Sequence, residues 1–381
     1  MKHRHLHIGF DAKRAAQNKT GLGNYSRFVV RGLAHWAPSL RLHLCIPDPR
    51  RSKALDGVDK LAPVTMQFPK TAFWRLCKQL WRQWGVVGDL KAKKVQLYHG
   101  LTGELPLGLR RAGIKSVVTI HDLIFLRFPH YYPLIDRWIY RWKMRSACRR
   151  ADCVIAVSEC TKRDIIRFFG TPEEKITVLY QGCDEQFRQP ATENHKHIIR
   201  QRYRLPERFI LYVGSIEERK NLMLLAEALT LLDDKDITVV ALGHKTRYAQ
   251  RVRKFADAHG LARRFRMISG VGFADLPAFY QLATLFVYPS RFEGFGIPLQ
   301  EALCSGVPVI GCSGSSLEEA GGPDSLYVDP DNAPALAEAI TRVLGDEALR
   351  SRMVEAGHRY ADAFTEQLLS DQLQHLYSDI L

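Results

Sequence analysis

Two carboxylates separated by seven residues, Glu293 and Glu301, bracket a glycine-rich turn in the string Ser290-Arg-Phe-Glu-Gly-Phe-Gly-Ile-Pro-Leu-Gln-Glu-Ala-Leu-Cys-Ser-Gly306. Pro298 suits the first position of a helix and Gly306 the residue just past its end, with no breaker between. The first amides of such a helix lack intrahelical partners and carry the positive end of its dipole. Gly294 and Gly296 would let an anion come close to the backbone, with Phe295 and Ile297 flanking it. That is chemistry for a phosphate or pyrophosphate. Glu293 in the loop and Glu301 in the first turn can each accept hydrogen bonds from sugar hydroxyls. The ordinary alternative makes Glu301 a dipole-complementing residue and Glu293 a solvated loop charge.

Two cations stand at a second strand-to-helix turn, Tyr212-Val-Gly-Ser-Ile-Glu-Glu-Arg-Lys-Asn221. Arg219 offers a planar fork and Lys220 a point charge, both suited to a diphosphate. A charge-neutralised surface turn, with Glu217 and Glu218 beside them, would look the same. His121 follows the apolar run Ser116–Ile120, where a parallel sheet opens its side chains to ligand, with Asp122 as a second polar candidate. Gly21 and Gly23 in Thr20-Gly-Leu-Gly-Asn-Tyr25 follow the first apolar run. They allow close backbone approach there, or form an ordinary tight turn. Asp234-Lys-Asp236 and Asp329-Pro-Asp331 read as turn chemistry and not as metal ligands. No metal site is expected.

The elements that must carry these residues alternate. Apolar runs at His5–Phe10, Leu42–Ile46, Leu97–His99, Ser116–Ile120 and Cys153–Val157 read as strands separated by helices. The pattern restarts at Phe209–Val213, Ile237–Leu242, Arg266–Ile268, Leu285–Tyr288 and Val307–Ile310, with helices near 221–232, 246–259, 275–282, 298–305 and 333–345. The expected fold class is α/β: two doubly wound, Rossmann-like parallel sheets facing across a cleft. Their boundaries are 1–188, 189–360 and a terminal helix 361–381 packing back toward the first domain. Gln186–His197, with Pro190, is the expected linker. A chain of 381 residues, 46% apolar, supports two such cores.

The charge is uneven: residues 1–185 carry 33 Lys/Arg against 15 Asp/Glu, and residues 186–381 carry 22 against 25. At helical spacing Trp74, Cys77, Trp81 and Trp84 share one face of the segment Lys70–Trp84, beside Arg75, Lys78 and Arg82. That is the pattern of an interfacial helix or of one packing its tryptophans inward. A second basic and aromatic cluster spans Tyr131–Arg150. Anionic lipid would reward both, whereas no nucleic-acid module is visible. No apolar run is long enough to span a membrane, and Met1–Ile8 lacks the apolar stretch of a signal peptide. A cytoplasmic protein touching the inner face of the membrane peripherally is expected. Eight scattered cysteines suggest reduced thiols.

The string Ser290–Gly306, continued by Val307-Pro-Val-Ile310, resembles the donor-site signature of retaining glycosyltransferases of family 4, which have the GT-B fold. The resemblance implies a nucleotide-sugar donor and a glycan or lipid-linked acceptor, with no metal and no cofactor. It places Glu293 on hydroxyls of the donor sugar, Glu301 on the ribose, Arg219 and Lys220 on the diphosphate, and His121 near the transferred sugar. Gly21 and Gly23 would close over the donor. Gly272 and Phe273, in Gly270-Val-Gly-Phe273, resemble the loop that reads the base, and Leu242-Gly-His244 resembles another lining that pocket. Many members carry an Arg where this chain has Ser215, so either Arg219 takes over that role or stabilisation of the leaving diphosphate rests mainly on Lys220. The string His121-Asp-Leu-Ile-Phe-Leu-Arg-Phe-Pro129 looks like those of bacterial polysaccharide-assembly enzymes using GDP-mannose. Two other readings stay open from the residues alone. One is a glycoside hydrolase using the carboxylate pair. The other is a polyanion-binding protein using the basic half.

Overall fold

A computed structural model describes residues 6–18, 21–51, 54–55, 57–244 and 246–381. His5 of the first expected strand and Thr20 of the glycine segment lie outside the described residues. The chain divides into two compact units, Met1–Gln181 with Glu366–Leu381, and Gly182–Thr365.

The first unit is built on seven strands, β1 (Leu6–Asp11), β2 (Leu40–Cys45), β3 (Val64–Gln67), β4 (Leu97–Gly100), β5 (Lys115–Ile120), β6 (Cys153–Ala156) and β7 (Ile176–Val178). All neighbours are parallel, in the order β3-β2-β1-β4-β5-β6-β7. A continuous apolar strand such as β6, buried at all four residues, is what a sheet covered on both faces requires. Alternate side chains accordingly enter two cores. Ile8, Phe10, Leu97, Val117 and Ile155 point one way, and Tyr98, Val118, Ile120 and Val154 point the other. The helix Glu366–Ile380 completes the first core with Leu369, Leu373 and Tyr377.

The second unit holds β8 (Phe209–Val213), β9 (Thr238–Leu242), β10 (Phe265–Ile268), β11 (Leu285–Tyr288), β12 (Val309–Cys312) and β13 (Leu326–Val328). These strands are also all parallel, in the order β10-β9-β8-β11-β12-β13. In each unit the winding reverses once, between β1 and β4 and between β8 and β11. Open parallel sheets bind ligands at the carboxyl ends of the strands flanking such a reversal.

Four expectations need correction. First, β3, β7 and β13 have no counterpart in the sequence reading. Each has a single partner strand in its sheet; β7 and β13 run only three residues, too few for a period-two pattern to register, and β3 sets Thr65 and Gln67 among its four. Second, Gly21 and Gly23 are not a loop, because they open the helix Gly21–Trp36. A Cβ on Gly23 would sit 1.9 Å from the Asn18 carbonyl oxygen, so its bareness serves the chain's own backbone.

Third, the expected single helix over 70–84 is broken at Cys77 and widened into a π turn at Trp81–Gly85. The π turn advances less per residue than an α turn, so Trp84 swings away from Trp81. Trp81 is fully buried, with its indole N–H on Asp89 Oδ2 at 2.8 Å, while Trp84 is exposed. Arg82, expected on a basic surface face, is buried. Fourth, the second half of the expected linker is helical. Thr192 Oγ1 accepts from the His195 amide and starts the helix Glu193–Arg202.

Candidate active site

The reversal in the second unit brings together the two turns singled out in the sequence. Backbone from β8 runs through Gly214 into a 3-10 turn at Glu218–Lys220, capped by Asn221 in the left-handed region, and on into the helix Leu222–Leu231. The neighbouring strand β11 ends in Tyr288 and runs through Ser290 and Glu293 into the helix Ile297–Cys304. Strand ends must pack closely here, and a Cβ on Gly243, beyond β9, would meet the Gly214 carbonyl oxygen at 2.3 Å. The Arg291 amide donates to the Arg219 carbonyl at 2.9 Å and ties the two turns to each other.

One carboxylate oxygen organises the centre. Glu293 Oε1 accepts from Lys220 Nζ at 2.5 Å, Ser290 Oγ at 2.6 Å and Tyr288 Oη at 3.2 Å, and lies 3.0 Å from Arg219 Nη1. Lys220 Nζ also donates to Tyr288 Oη at 2.6 Å. Arg219 also donates to the Phe292 carbonyl from Nη1 at 2.5 Å and to Glu217 from Nη2 at 2.9 Å. Burial alone would raise the Glu293 carboxyl. Lys220 and Arg219 more than offset that and hold it at about 2, so it is an anion throughout the neutral range. Burial in turn pulls the Lys220 ammonium below the usual lysine range, against the attraction of Glu293. Among the described residues the hydrogen bonds to the Glu293 carboxylate from Lys220, Ser290 and Tyr288 all land on Oε1.

The glycine turn beyond is fixed from below. Ser316 Oγ donates to the carbonyls of Glu293 and Phe295 at 2.9 and 2.8 Å, and Phe295 packs against Phe364. Gly296 has φ +120°, and a Cβ there would meet Leu317 Cδ2 at 2.8 Å, so only glycine fits. The helix starts at Ile297, one residue before the expected Pro298. This puts Glu301 in its second turn, a correction to the first-turn expectation. Pro298 has no N–H and the Leu299 amide bonds the Gly296 carbonyl at 2.9 Å.

Glu301 is buried and accepts from Tyr280 Oη at 2.8 Å on the preceding helix, Leu276–Leu282. Burial raises its carboxyl to about 7, with Asp184 adding to the shift and Tyr280 opposing it. The two glutamates thus sit in opposite electrostatic settings. One is clamped by cations and the other is desolvated beside a phenol.

The other expected residues of this unit stand at neighbouring strand ends. Ser215 is exposed after β8, with its carbonyl accepting from Tyr212 Oη at 3.0 Å. Gly272 and Phe273 follow β10 at the start of a 3-10 turn, both exposed, with Phe273 edge-on to Phe187. Asp234 accepts from the amides of Asp236 and Ile237, and Asp329 from that of Asp331, so both pairs hold turns. Among the described residues no cluster of His, Cys, Asp or Glu could hold a metal ion. Tyr288, Ser290 and Tyr280 were missed in the sequence. Tyr288 is legible in hindsight, since it ends an apolar strand as His121 nearly does.

In the first unit His121 follows β5, half-buried. Its Nε2 faces the Leu101 carbonyl at 2.9 Å and must carry the proton, so Nδ1 accepts from Gln181 Nε2 at 2.8 Å. The Tyr25 ring stands edge-on at 4.6 Å. Burial lowers His121 to about 4, which makes it a neutral imidazole. Asp122 Oδ1 accepts the Ile124 amide at 3.1 Å, ahead of the short helix Ile124–Arg127.

The reversal between β1 and β4 carries a cluster that the sequence reading missed. Asp11, the last residue of β1, is bridged by the Arg82 guanidinium, whose Nη1 also donates to Glu104 Oε2 at 2.8 Å. Burial would raise Asp11, and Arg82 holds it below the usual carboxylate range. A carboxylate ending the first parallel strand was the available signal.

The comparisons agree with this architecture. A family model described as glycosyl transferases group 1 matches residues 195–360, and one described as Glycosyltransferase Family 4 matches residues 21–187. Between them they take in most of the chain. The O-antigen chain mannosyltransferase B of Escherichia coli is 29% identical over 374 residues, covering 94% of this chain and 96% of that protein. The serotype-specific mannosyltransferase WbdA of Escherichia coli is 29% identical over 275 residues, 69% of this chain and 34% of WbdA, so the match spans about a third of that longer protein. Anabaena HepE, solved in complex with UDP-glucose, superposes with a TM-score of 0.78 at 17% identity, covering 98% of this chain and all of that one, a likeness of fold. With its two halves matched in order and its two parallel sheets wound as GT-B units, this chain belongs to the family 4 glycosyltransferases.

Proposed function

We propose that the protein transfers a mannosyl residue from GDP-mannose to a glycan or lipid-linked acceptor in cell-surface polysaccharide assembly. Transfer would retain the configuration at the anomeric carbon and need no metal ion. The observation that carries this reading is the convergence of Lys220, Arg219 and Glu293 at the reversal between β8 and β11, where a nucleotide diphosphate belongs. The mannosyl donor rests on the names of the relatives and on the string His121–Pro129.

The roles follow from donor counts. Lys220 has three N–H donors and spends two, on Glu293 and Tyr288, which leaves one for a phosphate oxygen. Arg219 is bonded through both Nη atoms to its own unit, so it braces the turn and adds charge while Lys220 meets the leaving diphosphate. That division also answers the Ser215 departure. Gly294 and Gly296, with Phe295 and Ile297, present backbone to the same phosphates. Glu293 offers its second oxygen to hydroxyls of the sugar, and Glu301 accepts from the ribose. Gly272 and Phe273 read the base. Stabilising the departing charge with fixed cations and amides requires no metal.

As the donor's carbon–oxygen bond breaks, the acceptor hydroxyl attacks the face the diphosphate leaves, and a phosphate oxygen takes its proton. His121 enters this scheme as a neutral hydrogen-bonding group and not as a base, since both ring nitrogens are engaged. Gly21 and Gly23 set the helix start beside it. A lipid-linked acceptor would bring the chain to the inner face of the cytoplasmic membrane as a peripheral visitor.

A thermal-shift screen of nucleotide sugars tests the donor: a ligand at 100 times its dissociation constant stabilises by about 2.7 kcal/mol. GDP-mannose should shift the transition and UDP-hexoses should not. The reverse result overturns the donor assignment. Undiminished transfer in EDTA and an α-linked product, read by NMR, are expected, and an inverted product would refute the stereochemistry.

A further inference from the structure

The helix Leu134–Arg150 breaks the usual rule for a surface helix. Its inner side already packs Met144, Ala147 and Cys148 into the core, yet Leu134, Ile135, Trp138 and Trp142 point outward. Trp138 is 70% exposed and Trp142 61%. Arg141, Arg145 and Arg149 continue the same outer side toward the carboxyl end, all exposed. The outer face therefore runs from apolar at one end to cationic at the other.

A second row does the same. Phe73, Leu76, Leu80 and Trp84 recur at spacings of three and four residues and are all exposed, Leu76 at 84%, with Arg75 exposed among them. This is the row left outside when the π turn sends Trp81 inward.

The segments that carry the two rows are tied to one residue. Gln83 Nε2 and Lys143 Nζ reach the same atom, Glu104 Oε2, at 3.3 and 3.5 Å, and Gln83 precedes Trp84 as Lys143 follows Trp142 in the chain. The Leu107 amide donates to the Gln83 carbonyl at 2.7 Å, and Arg150 clasps the carbonyls of Leu105 and Pro106 at 3.0 and 2.8 Å. One loop after β4 thus seats both helices.

We infer that these two rows form one docking face for an anionic lipid bilayer, with the tryptophans and leucines entering the interface and the arginines meeting phosphate headgroups. The inference deepens the peripheral contact proposed above and rests on it for its biological setting. Charge chooses the occupant. A second copy would bring one cationic face, with Arg75, Arg141, Arg145 and Arg149 and no carboxylate paired to them among the described residues, against another of the same charge. A nucleic acid would satisfy the arginines and leave the apolar rows in water. A bilayer satisfies both, because aromatic side chains favour the headgroup level and basic ones its negative potential. Glu104 also binds Arg82, which reaches Asp11 at the end of β1. The face therefore borders the strand reversal of this unit, where an acceptor tethered in the same membrane would arrive.

Flotation of the full chain on phosphatidylcholine vesicles, with and without phosphatidylglycerol, tests this. The wild type should float with the anionic vesicles. Trp138→Ser with Trp142→Ser, both at exposed positions and checked for unchanged thermal unfolding, should weaken that by at least about tenfold, the scale expected for two buried aromatic anchors. Arg141→Gln, Arg145→Gln and Arg149→Gln together should weaken it on the order of a hundredfold, at roughly fivefold per arginine, without changing what is bound on neutral vesicles. Undiminished flotation of the tryptophan variant overturns the inference, as does equal wild-type binding to neutral vesicles. A wild-type dimer in sedimentation that the tryptophan variant dissolves, with no vesicle binding, assigns the face to a second copy and also overturns it. Transfer to a water-soluble acceptor should persist in both variants. Its absence in the wild type would count against the transferase reading and leave the docking face standing.

Discussion

At the end of β11 one carboxylate is held by two cations, and at the end of β1 one guanidinium is held by two carboxylates. Both clusters sit at the single reversal of a parallel sheet, both are buried, and both are built from a strand end and the loops beside it. Their innermost charges are opposite in bias, with Glu217 at the rim of one and Lys143 at the rim of the other restoring balance. The Glu293 cluster sets two cations on one inner carboxylate and has a lysine donor to spare, which suits an incoming diphosphate. The Asp11–Arg82–Glu104 cluster spends its guanidinium on two carboxylates, with Lys143 at its rim. Topology sets where a parallel sheet binds, and the sign of the buried excess sets what.

The comparison breaks most directly at Arg82. Removing it by Arg82→Ala leaves Asp11 buried beside Glu104 with no strong counter-charge. Losing one partner of a buried pair typically costs about 3–5 kcal/mol. Urea unfolding at neutral pH should show that loss. The sign with pH is fixed: Asp11 is lowered in the folded protein from the ordinary 3.8, so its pairing stabilises fully above that value and is lost as pH falls below it toward the folded value. The gap between variant and wild type should therefore narrow as the pH is brought below about 4. A variant within 1 kcal/mol of wild type at neutral pH would mean the guanidinium is solvated and the first cluster is not the counterpart of the second.

Lys220→Ala sharpens the other side. Removing a group that stabilises developing negative charge typically costs 10²–10³ in turnover. Turnover should fall by about that much, while Tyr288 and Ser290 keep Glu293 in place and the fold intact. Initial-rate kinetics with the donor varied decide it. A change confined to KM would demote the lysine to ground-state binding.

The legibility of these two clusters in the sequence differed for a physical reason. Glu293, Gly296 and Glu301 lie on one continuous strand-turn-helix, so local rules of glycine, proline and charge order reach them. Arg219 and Lys220 follow a second such turn. Lys220 meets Glu293 only because β8 and β11 are neighbours, and Tyr280 meets Glu301 from another helix. Such pairings are properties of topology. Arg82 was misplaced because helical periodicity assumes one uniform helix, and a π turn is invisible to it. Trp81 and Trp84 then fell on one predicted face although the fold sends one into the core and the other to water. Gly23 was read as making room for a ligand, whereas the space is filled by Asn18. The strands at sheet centres were legible from their apolar runs. The edge strands β7 and β13 were not, because three residues carry too little pattern.

The smallest expected effect concerns Glu301, and it separates a ribose acceptor from a merely buried acid. Its carboxyl stands at about 7 in the folded protein, above the 4.5 of an exposed glutamic acid. Between those values the folded protein holds a proton that the unfolded chain has released, so stability falls as pH rises through that window. Glu301→Gln should flatten the fall. A ribose hydroxyl that donates to the carboxylate favours its charged form, so donor binding near pH 6.5 should expel a fraction of one proton. Calorimetry in two buffers of different ionisation enthalpy reads that fraction, which should vanish in Glu301→Gln and shrink as pH rises above 7.5. Tyr280→Phe removes the one phenol that already favours the anion, so it should raise the carboxyl further and enlarge the release at neutral pH. Binding without proton release in the wild type would leave Glu301 as a protonated donor toward the ligand. The two glutamates of the glycine turn would then differ in charge as well as in setting.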